Sequence, residues 1–482
     1  MKRSAKKNVR RVTALLLAVL LLTGCQVGPG EGTGTNGKNT EAEAASGYRD
    51  GIIGERKKST GMKKFLGDLA DGAEGIFDGR KSSGAKDYAL EEIHPMEPAA
   101  DYAEGSWQPR AGLLTGAEWK DLKHLQEWRA KLQEDAWKAA ADSRRIYADS
   151  CLKVTVFDGS AEGKSPVIGA AVTALAENGT ELAAGRTDIS GEVYLFCDPE
   201  QKGLRPAEVK LGETKYPVQG DAMELYADGE TAVRQLDLML MIDTTGSMGD
   251  ELEFLKAELK DMVGRIAAQG EALSIRVSVN FYRDEGDDYV VKYYDFREDI
   301  NECLAQMSSE YAEGGGDYPE AVHTALENAV TGHDWRSDAV KLCFMVLDAP
   351  PHSESERQGV NASLRKSLKA AAAEGIRIIP VASSGVDTET EYLLRSFAVL
   401  TGGTYVFLTN DSGIGGYHKD AEVGEHDVEA LNECMIRIAC EYCGLTYVKE
   451  YEPNIRPTED LGIPVDPQPG ETYPVKEEVK IK

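Results

Sequence analysis

A doubly wound α/β domain, preceded by a small β-sandwich and a helical N-terminal segment, is the fold class that the sequence predicts. Three observations predict it. Between Leu236 and Gly444, short continuous apolar runs alternate with amphipathic stretches, as in a mostly parallel sheet covered by helices on both faces. Between Cys151 and Gln235 the apolar period drops to two, with turn residues every few positions, as in a small sandwich. Before that, Leu113 to Tyr147 repeats large apolar residues at helical spacing.

The elements follow in order. Residues 1–25 read as a targeting signal: Lys2, Arg3, Lys6, Lys7, Arg10 and Arg11 precede an apolar core from Val12 to Leu22, too short to span a bilayer. Leu22-Thr23-Gly24-Cys25 resembles a bacterial lipobox. The resemblance implies cleavage before Cys25, a lipid on its sulfur, and a protein held at the bacterial cell envelope, outside the cytoplasm. Residues 26–47 read as a flexible tether, and 48–150 as a mostly helical region. In that region Thr115-Gly116-Ala117-Glu118 fits a capping box. Trp119, Leu122, Leu125, Trp128 and Leu132 form a stripe that docks on the next domain.

Residues 151–235 carry strands at Leu152–Phe157, Ala170–Leu175 and Glu192–Phe196. With the turns Glu177-Asn178-Gly179 and Asp188-Ile189-Ser190-Gly191, the stretch resembles the carboxypeptidase regulatory-like or Cna-B-like modules of bacterial surface proteins. That resemblance implies a rigid spacer. Gly163-Lys164-Ser165 is no phosphate loop, because Pro166 follows and no helix comes after it.

Residues 236–444 are predicted to alternate. Strands are expected at Leu236–Ile242, Leu273–Tyr282, Tyr289–Tyr293, Val340–Leu347, Ile376–Val381 and Gly403–Phe407. Helices are expected at Gly249–Ala268, Pro319–Val330, Ala362–Glu374, Thr388–Leu400 and Val428–Cys440. Residues 445–482 open with a strand-like Leu445–Val448 and become a Pro-rich acidic tail.

The 482 residues carry a net charge of −28, from 82 acidic and 54 basic side chains. Such a surface repels nucleic acid and anionic lipid. Seven cysteines lie beyond Cys25 at irregular spacing, which defines no disulfide framework. Cys303 and Cys343 sit in apolar segments and read as buried thiols, while Cys151 and Cys197 could pair across the small β-domain.

Three segments converge where an open doubly wound sheet binds ligands, beyond the carboxyl ends of its strands. The first strand ends in Asp243, and the turn after it presents Thr245 and Ser247. A glycine-rich loop, Gly314-Gly315-Gly316-Asp317-Tyr318-Pro319-Glu320, precedes a helix. The strand Val340–Leu347 ends in Asp348. Carboxylates and hydroxyls together suit a hard divalent cation.

These elements, in this order, resemble a von Willebrand factor type A domain with a metal-ion-dependent adhesion site. The resemblance implies that Thr245 and Ser247 bind the ion directly, and that Asp243 and Asp348 act directly or through water. It also implies that one coordination position stays open for an acidic side chain of a protein partner. Asp317 stands where a coordinating Thr is common. It is read as a direct or water-mediated ligand and, compatibly, as a helix N-cap with Pro319 and Glu320 in the first turn. Ser247 has an analogous capping role open to it, with Asp250. The expected ion is Mg²⁺, with Mn²⁺ or Ca²⁺ as alternatives that a third carboxylate would favour.

The functional expectation is a lipid-anchored surface protein that binds a protein ligand through a metal ion, in adhesion or recognition, without catalysis. The alternative is a scaffold subunit of a cell-envelope complex with a structural metal. A redox role for Cys440-Glu441-Tyr442-Cys443 is disfavoured, because the pair ends a helix and the dipole there opposes thiolate. No HExxH or Gly-x-Ser-x-Gly arrangement is present. His352 reads as a surface-loop histidine near Asp348, or as part of the rim. The Asn410–His418 loop reads as a partner-contacting loop or a surface turn.

Overall fold

The computed structural model describes residues 51–53, 109–160, 163–197, 205–271 and 273–456. The lipobox with Cys25, the tether, most of residues 48–108 and residues 457–482 lie outside the described residues.

In chain order, a short strand β1 (Gly51–Ile53) and a strand β2 (Thr115–Trp119) precede helices α1 (Leu125–Lys131) and α2 (Asp135–Arg144). Seven strands follow: β3 (Cys151–Phe157), β4 (Ala171–Leu175), β5 (Glu181–Arg186), β6 (Glu192–Phe196), β7 (Glu208–Leu211), β8 (Thr214–Pro217) and β9 (Ala222–Tyr226). They form a three-stranded sheet, β6-β3-β9, and a four-stranded sheet, β5-β4-β7-β8. Val154, Val156, Val172, Val193, Leu195 and Val209 close a core of their own between them. Alternate residues of β3 are buried, as the two-residue period requires.

The remaining elements alternate. They are β10 (Gln235–Asp243), α3 (Leu252–Ala267), β11 (Ser274–Tyr282), β12 (Val291–Tyr293), α4 (Ile300–Ser309), α5 (Val322–Thr331), β13 (Val340–Leu347), α6 (Val360–Glu374), β14 (Ile376–Ala382), α7 (Thr388–Thr401), β15 (Tyr405–Leu408), β16 (Glu429–Ala430) and α8 (Leu431–Cys443). The large sheet runs β1-β12-β11-β10-β13-β14-β15-β2-β16. Its five central strands, β11 to β15 in that order, are parallel. Both faces of β10 are buried. Leu238, Leu240 and Ile242 join the core beneath α3 and α8, while Met239 and Met241 join the core beneath α5, α6 and α7. Asp387 caps α7 by accepting from Thr390 N–H at 2.7 Å. Gly375 and Gly402, at φ +72°, end α6 and α7 in the left-handed conformation that favours glycine.

The N-terminal segment departs from its helical pattern. Thr115–Trp119, expected as a capping box and helix start, is an edge strand antiparallel to β15, with Trp119 opposite Tyr405 and Gly116 opposite Leu408. The open edge of β15 offers unpaired backbone groups, and pairing there outweighs local helical preference. The Thr115 hydroxyl donates to the Thr409 carbonyl at 3.3 Å and accepts from Ser412 N–H at 3.0 Å rather than capping a helix. The chain arriving at this strand is anchored by buried Glu258, whose carboxylate accepts from Gly112, Leu113 and Leu114 N–H at 2.8, 2.8 and 2.9 Å.

The docking role of the tryptophans is visible for Trp128, joined by Trp137. Both are fully buried against Tyr392 of α7, with ring centroids 6.4 and 5.7 Å from it. Helix α4 lies outside the helices that the sequence pattern predicts; Asp299 caps it through Asn301 N–H at 2.9 Å. Leu445–Val448 forms no strand. Just beyond it, the Glu450 and Tyr451 N–H groups each bond Glu433 Oε1 at 2.9 Å.

Candidate metal centre

The strand order reverses beside β10: β11 lies on one side of it, and β13 with β14 on the other. At such a switch point the loops diverge and leave a crevice beyond the strand ends. Asp243 and Asp348 both lie there, at the end of β10 and just past the end of β13. Asp243 is fully buried. Its Oδ1 accepts from Thr245 N–H at 2.8 Å and from the Thr245 hydroxyl at 2.7 Å, which folds the turn back over the strand end. The Thr245 and Ser247 hydroxyls are 3.2 Å apart, and Ser247 lies beside Asp348, where it draws that carboxyl down against the effect of burial. Thr244 faces the other way, its hydroxyl donating to the Tyr282 carbonyl at 3.1 Å. Sequence-predicted Asp243, Thr245, Ser247 and Asp348 are therefore one cluster. Ser247 caps no helix: a 3₁₀ turn, Gly246–Asp250, intervenes before α3.

The glycine-rich loop packs onto this turn through its backbone. Glu313 N–H donates to the Thr244 carbonyl at 3.0 Å, and Gly246 N–H to the Gly314 carbonyl at 3.2 Å. Gly314, Gly315 and Gly316 have φ of +89°, +73° and +154°, a run that only glycine adopts readily. A Cβ on Gly314 would fall 2.4 Å from Asp287 Oδ2.

The loop then turns Asp317 outward, where its side chain is exposed. Helix α5 starts at Val322 with Ala321 at its N-cap, so Asp317 does not cap it. Glu320 is the buried acid of this loop. Its N–H donates to the Pro350 carbonyl at 2.9 Å, in a bridge to Pro351. Its Oε1 would lie 2.9 Å from a Cβ on Gly315, an atom that would also lie 3.4 Å from Thr245 Cβ. The helix start and the distant Pro350 loop decide which acid turns inward, and neither is visible in the local motif. Glu320 spaced three beyond Asp317 was the available signal, but it read as a capping box.

The electrostatics of the cluster are dominated by acids without partners. Asp243 Oδ2, Glu320 Oε2 and Asp348 Oδ1 are buried without a hydrogen-bond partner, a costly state for a carboxylate. Burial first, then Asp284, pushes the Asp243 carboxyl up to about 6. Burial, then Asp243 and Glu251, pushes Asp348 up to about 8. Burial, then Asp243, Asp284, Asp348 and Asp287, pushes Glu320 up to about 9. Each acid raises its neighbours because like charges cannot all ionise in one dry crevice. A divalent cation reverses that repulsion.

Among the described residues no three His, Cys, Asp or Glu side chains converge into a metal cage. The donor set of hydroxyls and spaced carboxylates fits an ion that keeps part of its water, as Mg²⁺ does. Thr245, Ser247, Asp243 and Asp348 would hold it, and it would supply a Lewis-acidic position for an oxygen ligand.

His352 is not a surface histidine. It is buried, its Nε2 lies 2.8 Å from Asp284 Oδ1, and its carbonyl accepts from Arg144 Nη1 at 2.8 Å. The Asn410–His418 loop is closed by reciprocal bonds: Asn410 Nδ2 donates to the His418 carbonyl at 2.6 Å, and His418 N–H to Asn410 Oδ1 at 3.0 Å. It is pinned to the site by His418 Nε2, 3.1 Å from Glu251 Oε1. Cys440 and Cys443 are buried free thiols; burial pushes Cys440 up and Cys443 to about 12, so thiolate is disfavoured at both. Cys151 and Cys197 are likewise free.

Residues 237–408 match the family model of the von Willebrand factor A domain. The match spans the parallel strands from β10 to β15 and the loops that carry Asp243, Thr245, Ser247, Glu320 and Asp348, and supports a von Willebrand factor A domain there. Over 123 residues, a quarter of its length, the chain is 32% identical to an ariadne-like RING finger protein of Acanthamoeba polyphaga mimivirus. It spans only 12% of the length of that curated relative. Among solved structures it is similar to the conserved hypothetical protein BatB from Bacteroides thetaiotaomicron, at 13% identity and a TM-score of 0.27, over 36% of this chain and 89% of that one.

Proposed function

We propose that the von Willebrand factor A domain binds a protein partner through a divalent cation held by Asp243, Thr245, Ser247 and Asp348. One observation supports this reading: three buried carboxylates with unpartnered oxygens, each close enough to another to raise it, lie near two hydroxyls at the strand-order switch. A fold gains nothing from that arrangement without a counter-ion. The rim also supplies contact area, since Tyr311, Tyr318 and Tyr417 are exposed on loops around it and tyrosine is enriched in binding surfaces. The ion is Mg²⁺, or Mn²⁺ or Ca²⁺, and the contacting group of the partner is an oxygen. The protein is a non-catalytic recognition module anchored at the bacterial cell envelope through a lipid on Cys25.

Calorimetric titration of EDTA-stripped protein with Mg²⁺ and Mn²⁺ tests the site. Wild type binds one ion, and Asp243→Ala loses binding while keeping its circular dichroism spectrum. Partner capture from native surface material then disappears with EDTA and with Asp243→Ala. Capture that survives both treatments would instead favour a scaffold role with a structural metal.

A further inference from the structure

The glycine-rich loop brings one acid into the crevice that neither the motif nor the family match assigns. Glu320 is 3% exposed, and its Oε2 has no hydrogen-bond donor. Its N–H bonds the carbonyl of Pro350, two residues past Asp348, so its loop is tied to the one that carries an ion ligand. Its Oε1 and Thr245 approach the same point in front of Gly315. Asp317, three residues earlier, faces solvent.

We propose that Glu320, rather than Asp317, is the third acid of the metal centre, acting on the ion through a water molecule and setting which partner group the ion accepts. This rests on the metal-binding reading above. A water between Glu320 and the ion fits a small divalent cation that keeps part of its hydration shell, as Mg²⁺ does. Asp243, Asp348 and Glu320 together carry three negative charges against two on the ion. A partner's carboxylate entering beside them meets net repulsion, whereas a carbonyl, hydroxyl or amide oxygen does not. The centre therefore prefers a neutral oxygen ligand, and Glu320 enforces that preference.

The test uses the metal alone, then acetate and acetamide as probes. Stripped wild type, Glu320→Gln, Glu320→Asp and Asp317→Asn are titrated with Mn²⁺ by calorimetry, and their metal-free melting temperatures are recorded. Loss of an outer-shell partner costs about 10–100-fold in affinity. Glu320→Gln is expected to bind Mn²⁺ that much more weakly and to melt higher without metal, since it removes the cost of burying an acid beside other acids. Glu320→Asp, which keeps the charge, should fall between, and Asp317→Asn should stay within about twofold of wild type. On the Mn²⁺-loaded proteins, water-proton relaxation should show acetate displacing water from Glu320→Gln at lower concentration than from wild type, with acetamide unchanged.

Unaltered Mn²⁺ affinity in Glu320→Gln, or a loss in Asp317→Asn instead, overturns the assignment while leaving the metal site standing. Acetate competing equally well in wild type and Glu320→Gln overturns the selectivity claim. Wild type that binds no Mn²⁺ overturns the metal reading itself.

Discussion

At the scale of single residues, the rim of β10 and β13 stores electrostatic repulsion that the fold alone does not relieve. Asp348 is held up at about 8 by burial and by Asp243. Asp348→Asn, close in shape but uncharged, should raise the metal-free melting temperature by a few degrees; for a domain of this size about 1 kcal/mol corresponds to 2–4 °C. The same variant should lose the stabilisation that added Mg²⁺ gives wild type, and differential scanning fluorimetry with and without the ion measures both. Asp243, Thr245, Ser247 and Asp348 were legible in the sequence because each sits within a few residues of a strand end, and strand ends are readable from apolar runs. Asp317 and Glu320 were not separable that way. Which of them faces inward depends on the bond from Glu320 N–H to the Pro350 carbonyl, thirty residues away in sequence.

At the scale of elements, the N-terminal segment is held by buried polar contacts as much as by its tryptophans. Arg395 of α7 donates to both carboxylate oxygens of Asp121, at 2.7 and 3.0 Å, and to Glu391 Oε1 at 3.1 Å. Its guanidinium lies 5.4 and 4.8 Å from the Trp128 and Trp137 ring centroids. Removing one partner of a buried pair strands the other, at about 3–5 kcal/mol. Asp121→Ala should therefore unfold at markedly lower denaturant concentration, followed by circular dichroism.

Glu258 ties the same segment to α3 and sets a pH dependence. Burial raises its carboxyl to about 7 in the folded protein, against the lower ordinary value it regains on unfolding. A raised carboxylate favours the folded state fully below its ordinary value and loses that contribution as pH rises through about 7. Metal-free protein should thus melt lower at pH 8 than at pH 5, and Glu258→Gln should flatten the part of that slope due to this group.

At the scale of the whole molecule, residues 113–148 are part of the large sheet and its cover rather than a separate helical arm. They add β2 to the edge of β15 and seat Trp128 and Trp137 on α7. A chain beginning at Cys151 would bare a strand edge and the apolar face of α7 together, the combination that drives association. Such a truncation should elute from size exclusion as oligomer or aggregate, whereas the chain from residue 109 should elute as a discrete folded species. A truncated chain that stays monomeric with an unchanged melting temperature would contradict this.

The sequence by itself determined the alternation of the doubly wound sheet, the two-residue period of the small sandwich, and four of the groups at the candidate metal centre. All of these are written in contiguous residues, where local periodicity and turn chemistry operate. Only the tertiary structure decided that Thr115–Trp119 is a strand, that His352 is buried against Asp284, and that Glu320 rather than Asp317 enters the crevice. In each case the deciding contact joins segments far apart in the chain: the open edge of β15, the Asp284 loop, and the Pro350 carbonyl. A partner that distant overrides a local preference worth only about 1 kcal/mol.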